Sequence, residues 1–217
     1  MWVRINNMNA QINNIQDQID ENHTANQHVM DMLVDIQKQQ TQIEEHLRVI
    51  KQHDESIANL KQTGFSVDSD LSNTGDVQHL TSQDMNKIID YWIYHMGVSS
   101  EFKDKGDAFI QAAQETGYNP IYILAHAACE SAWGSSYIAR TKNNYFGINA
   151  VDHDPGQSYH MGGSLEEGLS SGARWIYVNY YSNGYTSLSQ MKNAGYATDP
   201  NWSHAIVSIM NKSLQAL

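Results

Sequence analysis

The first 62 residues contain no glycine and no proline, and their only aromatic is Trp2. That excludes tight turns, hairpins and an aromatic-rich core from this stretch, leaving long helix as the regular structure open to it. The whole chain holds a single cysteine, Cys129, which excludes an internal disulfide. No apolar run approaches membrane-spanning length, and the N-terminus has no apolar signal core. Basic residues are scarce: 13 Lys and Arg against 24 Asp and Glu give a net charge of −11. The excess is acidic both before and after residue 62, so there is no cationic surface to neutralise phosphates, and nucleic-acid binding is not expected. Membrane association is not expected either.

What the first segment does contain is a heptad pattern. From Ile5 through Met8, Ile12, Ile15 and Ile19 to Ile43, Leu47, Ile50 and Ile57, apolar residues recur at alternating steps of three and four. The pattern predicts a coiled-coil rod over residues 1–62, about 85 Å long at about 1.5 Å per residue. Ile at most d positions, with Ile and Leu at a, favours self-association as a parallel trimer, and Asn22, Asn26 and Gln40 would fix its register. Residues 63–80, rich in Gly, Ser, Asn and Asp, read as a linker.

Residues 81–217 hold nearly all the aromatics and 12 of the 14 glycines, and read as a helical globular domain. Apolar periodicity places helices at 81–95, 104–115 and from Pro120 onward, a short one near 135–141, a long one opened by Ser164 and Glu167 as a capping box, and two more near 186–192 and 203–214. Residues 143–163 read as irregular chain or a small hairpin. The expected fold is therefore mainly α: a coiled coil, then a helical core with a small irregular or β lobe.

The helix beginning at Asn119-Pro120 is the most informative element. Asn119 is a good cap, Pro120 suits the first turn, and Ile121, Leu124, Ala125 and Ala128 face a core. A single carboxylate, Glu130, stands near its end among Ala, Cys and Trp. Such surroundings disfavour charge and keep a carboxylic acid protonated, ready to donate to a leaving group. The competing reading is an exposed glutamate on a polar face. His126 lies one turn earlier on the same face, where it could tune the acid or simply be a core histidine. With Cys129 it does not reach zinc-ligand spacing, so no metal or other cofactor is expected.

Three separated motifs, Glu130-Ser-Ala-Trp-Gly134, Asn143-Asn-Tyr-Phe-Gly-Ile148 and Gly195-Tyr-Ala-Thr-Asp-Pro-Asn-Trp202, resemble the bacterial and phage β-N-acetylglucosaminidases of glycoside hydrolase family 73. The resemblance covers roughly residues 81–217 and implies a lysozyme-like domain that cleaves peptidoglycan after N-acetylglucosamine. It assigns Glu130 as general acid, Tyr196 as the aromatic near the reacting sugar, and Asp152 as a candidate second carboxylate. Asn143, Asn144, Tyr145 and Phe146, with Trp133 and Trp202, would shape the substrate cleft. The second role stays open among Asp152, Asp154 and the substrate's own acetamido group. The rod and the acidic charge suggest a virion-associated hydrolase, held among phage tail proteins and opening the cell wall for DNA entry. The alternatives are an endolysin, an autolysin, a lytic transglycosylase, or a tail protein that binds glycan without cutting it.

Overall fold

The computed structural model describes residues 2–150 and 157–217. The chain divides into two units, Met1–Lys51 and Gln52–Leu217. Helix α1, Trp2–Thr63, is unbroken, as expected of a stretch without glycine or proline. Over its described residues the first unit is a stretch of this helix alone, and that corrects the expected coiled coil: among the described residues no coiled-coil element is present. Ile12, Ile19 and Ile43 of the heptad stripe are between 54% and 59% exposed, facing water instead of a second helix. Periodicity dictates a helix and an apolar face; it does not supply the opposing helix that a coiled coil needs. No described helix is long and apolar enough to cross a membrane.

The second unit takes in the last turns of α1, with Leu60 buried, and the segment that follows. Residues 64–80 lie on the domain through buried Leu71, Val77 and Leu80, with a 3-10 turn at Gly75–His79. Then come α2 (Ser82–Tyr94), α3 (Gly106–Thr116), α4 (Pro120–Ser131), α5 (Tyr137–Lys142), α6 (Leu165–Asn179), α7 (Leu188–Asn193) and α8 (Trp202–Ser213). Helix α4 is the centre. Residues Pro120 to Ala128 are all buried, so the helix is enclosed on every side, packed by α3 and α8. Asn119 Oδ1 accepts from Ile121 N (2.8 Å) and caps it. Its neighbours are amphipathic: α2 buries Met85, Ile88 and Ile89, and α3 buries Ala108, Phe109, Ala112 and Ala113.

The expected β lobe is also corrected. Among the described residues there is no strand, only an isolated bridge between Ser72 and Tyr118. Residues 142–149 and 157–162 do run beside each other, joined by Met161 N to Lys142 O and Tyr159 N to Ile148 O. Most of the remaining links come from side-chain amides. Asn144 Nδ2 donates to Ile148 O (2.8 Å) and Tyr159 O (3.0 Å), Asn143 Nδ2 to Gly162 O, and Asn149 Nδ2 to Gln157 O. With Asn143 and Asn149 at φ +52° and +56°, the backbone cannot hold the extended course a ladder needs, and asparagine amides take over the pairing.

One polar cluster ties α1 to α2. Asp84 is 1% exposed and completes a capping box with Thr81, while His53 Nε2 (2.7 Å) and Lys87 Nζ (3.1 Å) meet its two oxygens. Burial alone would raise the Asp84 pKa, but hydrogen bonds from Thr81, His53 and Lys87 outweigh it and hold the value at about 2. A depressed carboxylate pKa contributes stability above the unfolded value of 3.8, and the contribution is lost as pH falls toward 2. Asp84→Asn is expected to cost about 2 kcal/mol at neutral pH. Thermal melts should show the deficit at pH 7 and show it shrinking between about pH 4 and pH 2.

Candidate active site

Helix α4 delivers Glu130 in its last turn to the floor of an open cleft of about 830 Å³. The Glu130 side chain is 26% exposed, enough to reach substrate but not to be fully hydrated. Burial raises its pKa, opposed in part by a short hydrogen bond from Trp202 Nε1 to Oε1 (2.6 Å). The group is thus biased toward its protonated form, as a donor of protons must be.

The helix stops abruptly beyond Glu130. Ala132, Trp133 and Gly134 are all left-handed, at φ +49°, +59° and +81°. Trp133 N bonds to Ala128 O, Gly134 N to Ser131 Oγ, and Ser136 N to Ser131 O, so the reversal is pinned. At Gly134 a Cβ would come 3.0 Å from Glu101 and Phe102, a tight contact, and the positive φ would strain any side chain there.

Across the cleft, Asn144, Phe146, Gly147 and Ile148 form one wall, and Tyr196 to Asp199 with Trp202 form another. Trp175 and Tyr180 of the α6 region lie along the same surface. Phe146, Tyr196 and Trp202 surround His126, their ring centres 5.3, 5.1 and 5.3 Å from the imidazole. His126 is fully buried and its pKa is pushed down to about 3 by that burial, so it is neutral at physiological pH. Its Nε2 lies 3.8 Å from Glu130 Oε1. Tyr196 packs on Trp202 at 4.9 Å and on Tyr180 at 5.0 Å; burial, then the nearby Glu130 carboxylate, push its hydroxyl pKa well up, so it remains a neutral phenol.

Of the residues singled out from sequence, the cleft brings together Glu130, Asn144, Phe146, Tyr196 and Trp202. Three others stand behind it. Trp133 is buried against Trp92 (4.8 Å) and its carbonyl accepts from Glu101 N and Ser100 Oγ. Tyr145 packs on Phe102 (5.5 Å) and donates to Asn143 Oδ1 (3.3 Å), while Asn143 braces Gly162. Asp152 and Asp154 lie outside the described residues. Among the described residues, the acidic groups lining the cleft are Glu130 and Asp199, and Asp199 Oδ1 accepts from Asn201 N in the turn at Pro200. Glu166 pairs with Lys105 (2.7 Å) and Glu167 Oε2 accepts from Gly163 N (2.7 Å), both in structural roles.

Sequence reasoning missed the bond from Trp202 to the candidate acid, because the two residues are 72 positions apart and a tryptophan in a motif reads as a stacking surface. It also missed Ser136, Ile138, Ala197 and Thr198 as lining, which carry no chemical signature. Among the described residues, no group of His, Cys, Asp and Glu is arranged to hold a metal ion.

Residues 106–215 match the sequence family described as glucosaminidase, mannosyl-glycoprotein endo-β-N-acetylglucosaminidase. A Streptococcus pneumoniae protein provisionally named an endo-β-N-acetylglucosaminidase is 39% identical over 117 residues, covering 52% of this chain and 18% of that protein. A bifunctional autolysin of Staphylococcus epidermidis is 30% identical over 163 residues, covering 62% of this chain and 12% of its own length. The chain therefore spans less than a fifth of the length of these relatives. Among solved structures, Staphylococcus aureus autolysin E in complex with a muropeptide superposes with a TM-score of 0.56 at 24% identity, over 73% of this chain and 76% of that one. At that identity the likeness concerns the fold.

Proposed function

The chain belongs to the glucosaminidase family, and from that premise we propose that it is a glycoside hydrolase that cuts the glycan strand of peptidoglycan at the bond following N-acetylglucosamine. The observation that carries this reading is the placement of Glu130: a carboxyl with a burial-raised pKa, opening onto a groove lined by Phe146, Trp175, Tyr180, Tyr196 and Trp202. Aromatic faces and amide groups suit pyranose rings and N-acetyl groups. The solved autolysin E complexes hold a muropeptide and the disaccharide NAG-NAM, which supports a wall glycan as substrate here too.

In this reading Glu130 gives its proton to the glycosidic oxygen as the C1–O bond breaks, and the bonding pair leaves with that oxygen. The positive charge that develops on C1 and the ring oxygen is met by water, which loses a proton as the new C1–O bond forms. Tyr196, a neutral phenol beside the acid, would position the reacting sugar. The group that assists the water is proposed to be Asp152, with Asp154 as an alternative; in a third course the substrate's acetamido oxygen attacks C1 first and water then opens the cyclic intermediate. The proposed setting is the bacterial wall, in the manner of the autolysin relatives. A second setting, carriage on a phage particle, is favoured by the exposed apolar face of α1, which a tail protein would cover.

Reducing-end analysis of muropeptides released from purified walls tests the chemistry. The expected products end in reducing N-acetylglucosamine. Reducing N-acetylmuramic acid ends or anhydro ends would overturn the bond assignment and the hydrolytic course respectively. Immunodetection of the chain in purified phage particles against the wall fraction of producing cells separates the two settings.

A further inference from the structure

The two oxygens of Glu130 are in different surroundings. Oε1 receives the Trp202 indole N–H at 2.6 Å and faces His126 Nε2 at 3.8 Å. Oε2 faces Gly147, where a Cβ, if present, would sit 3.4 Å from it. His126 Nε2 is buried and has no hydrogen-bond partner among the described residues, an arrangement that carries a penalty unless a partner appears during function. The other ring nitrogen, Nδ1, lies 2.9 Å from the Tyr122 hydroxyl.

We propose that Tyr122 fixes His126 in the tautomer bearing its proton on Nε2, and that His126 and Trp202 together mark Oε1 as the oxygen that stays proton-free, leaving Oε2 to carry the proton to the glycosidic oxygen. This rests on the reading of Glu130 as the general acid. The tautomer follows from donor and acceptor chemistry. The alternative for the Tyr122 hydroxyl is Met191 Sδ at 3.7 Å, and a thioether is the weaker acceptor, so the hydroxyl donates to Nδ1. The reverse tautomer would aim a bare lone pair at an oxygen that becomes negative during the reaction.

The 3.8 Å separation gives His126 its role. While Glu130 is protonated, the His126 N–H is too far for a good bond and contributes little. When the proton leaves Oε2, charge spreads onto Oε1, and the imidazole N–H closes on it beside the indole N–H. An interaction made mainly after charge has developed lowers the barrier without tightening substrate binding. His126 is thus a positioning residue acting through Glu130. Burial keeps it neutral, so it donates a hydrogen bond without adding a charge. The other titratable groups near Glu130 among the described residues are Tyr122 and Cys129 on α4, and Tyr196 and Asp199 on the segment before α8.

The test uses His126→Phe, which keeps an aromatic ring but has no N–H, and His126→Gln, whose amide restores a donor at similar reach. Nitrogen-15 spectra of the histidine-labelled parent should show His126 neutral and protonated on Nε2 between pH 5 and 8. A proton on Nδ1, or an imidazolium, would overturn the proposal whether or not the protein cuts glycan. Carbon-13 titration of the Glu130 carboxyl should show its pKa higher in His126→Phe than in the parent, with His126→Gln in between. In turnover, His126→Phe should lose about tenfold or more in kcat, the size of one charge-assisted hydrogen bond, with KM changed less than about twofold. Equal losses in both variants with no movement of the Glu130 titration would reduce His126 to packing. A parent that releases no muropeptide would count against the glucosaminidase reading and leave the two spectroscopic outcomes to decide this one.

Discussion

Glu130→Gln is expected to lower muropeptide release by about 100-fold or more, the range that loss of a general acid produces. Its fold should be unchanged, because Gln keeps the carbonyl oxygen that accepts from Trp202 Nε1. The parent's own pH profile follows from the same burial. In the proposed mechanism the active form is the protonated acid; burial raises its pKa, so activity should hold past the usual carboxylate range and fall as pH rises through the shifted value. The sign for stability is the reverse of that for Asp84. A raised carboxylate pKa adds nothing below the unfolded value of 4.5 and becomes a growing penalty above it, up to the folded value. The Gln variant should therefore melt slightly higher than the parent at pH 7 and no higher at pH 4. Full activity in Glu130→Gln would end the assignment of Glu130 as the general acid.

The second large effect concerns two glycines on α6. Gly168 and Gly172 stand one turn apart, and together they seat the segment carrying the cleft wall. A Cβ at position 168 would strike the Asn143 carbonyl, and one at 172 would strike the Phe146 ring. Glycine inside a helix costs about 1 kcal/mol relative to alanine, so both positions trade helix stability for close approach. Gly168→Ala is expected to destabilise by about 3 kcal/mol, because the obstacle is backbone and cannot turn aside. Gly172→Ala should cost less in melting temperature, since a ring can shift, but should lower turnover by about tenfold or more by moving Phe146 off His126. Normal melts and turnover in both would show that the wall is not seated this way.

Much of the domain was readable from residue order. Asn119-Pro120 announced α4, the two-residue-wide apolar stripes of α2 and α3 announced buried faces, and Ser164 does cap α6 through Glu167 N. Even there the capping box is only half made, since the Glu167 carboxylate turns back to Gly163 N. Glu130 stood out because one carboxylate among small apolar residues has few structural uses. The misreadings have physical causes. A heptad stripe reports which face of α1 is apolar and says nothing about what lies opposite. The turn-rich run after Asn143 looked like a hairpin because asparagine and glycine mark both hairpins and amide-braced loops. Trp133 sits in the same motif as Glu130, yet the left-handed turn between them sends it into the core against Trp92 while the carboxyl faces the cleft.

That turn sets a limit on thermal tolerance. Ala132 and Trp133 both occupy a region that side chains with a Cβ avoid at about 1–2 kcal/mol per residue. A domain of this size has a margin of only about 5–15 kcal/mol to spend against unfolding. Relaxing the bend, for example with glycine at position 132, would lower the free energy of the native state but loosen the anchor behind Glu130. Gains in heat resistance from that site and accuracy in aiming the proton should therefore pull in opposite directions.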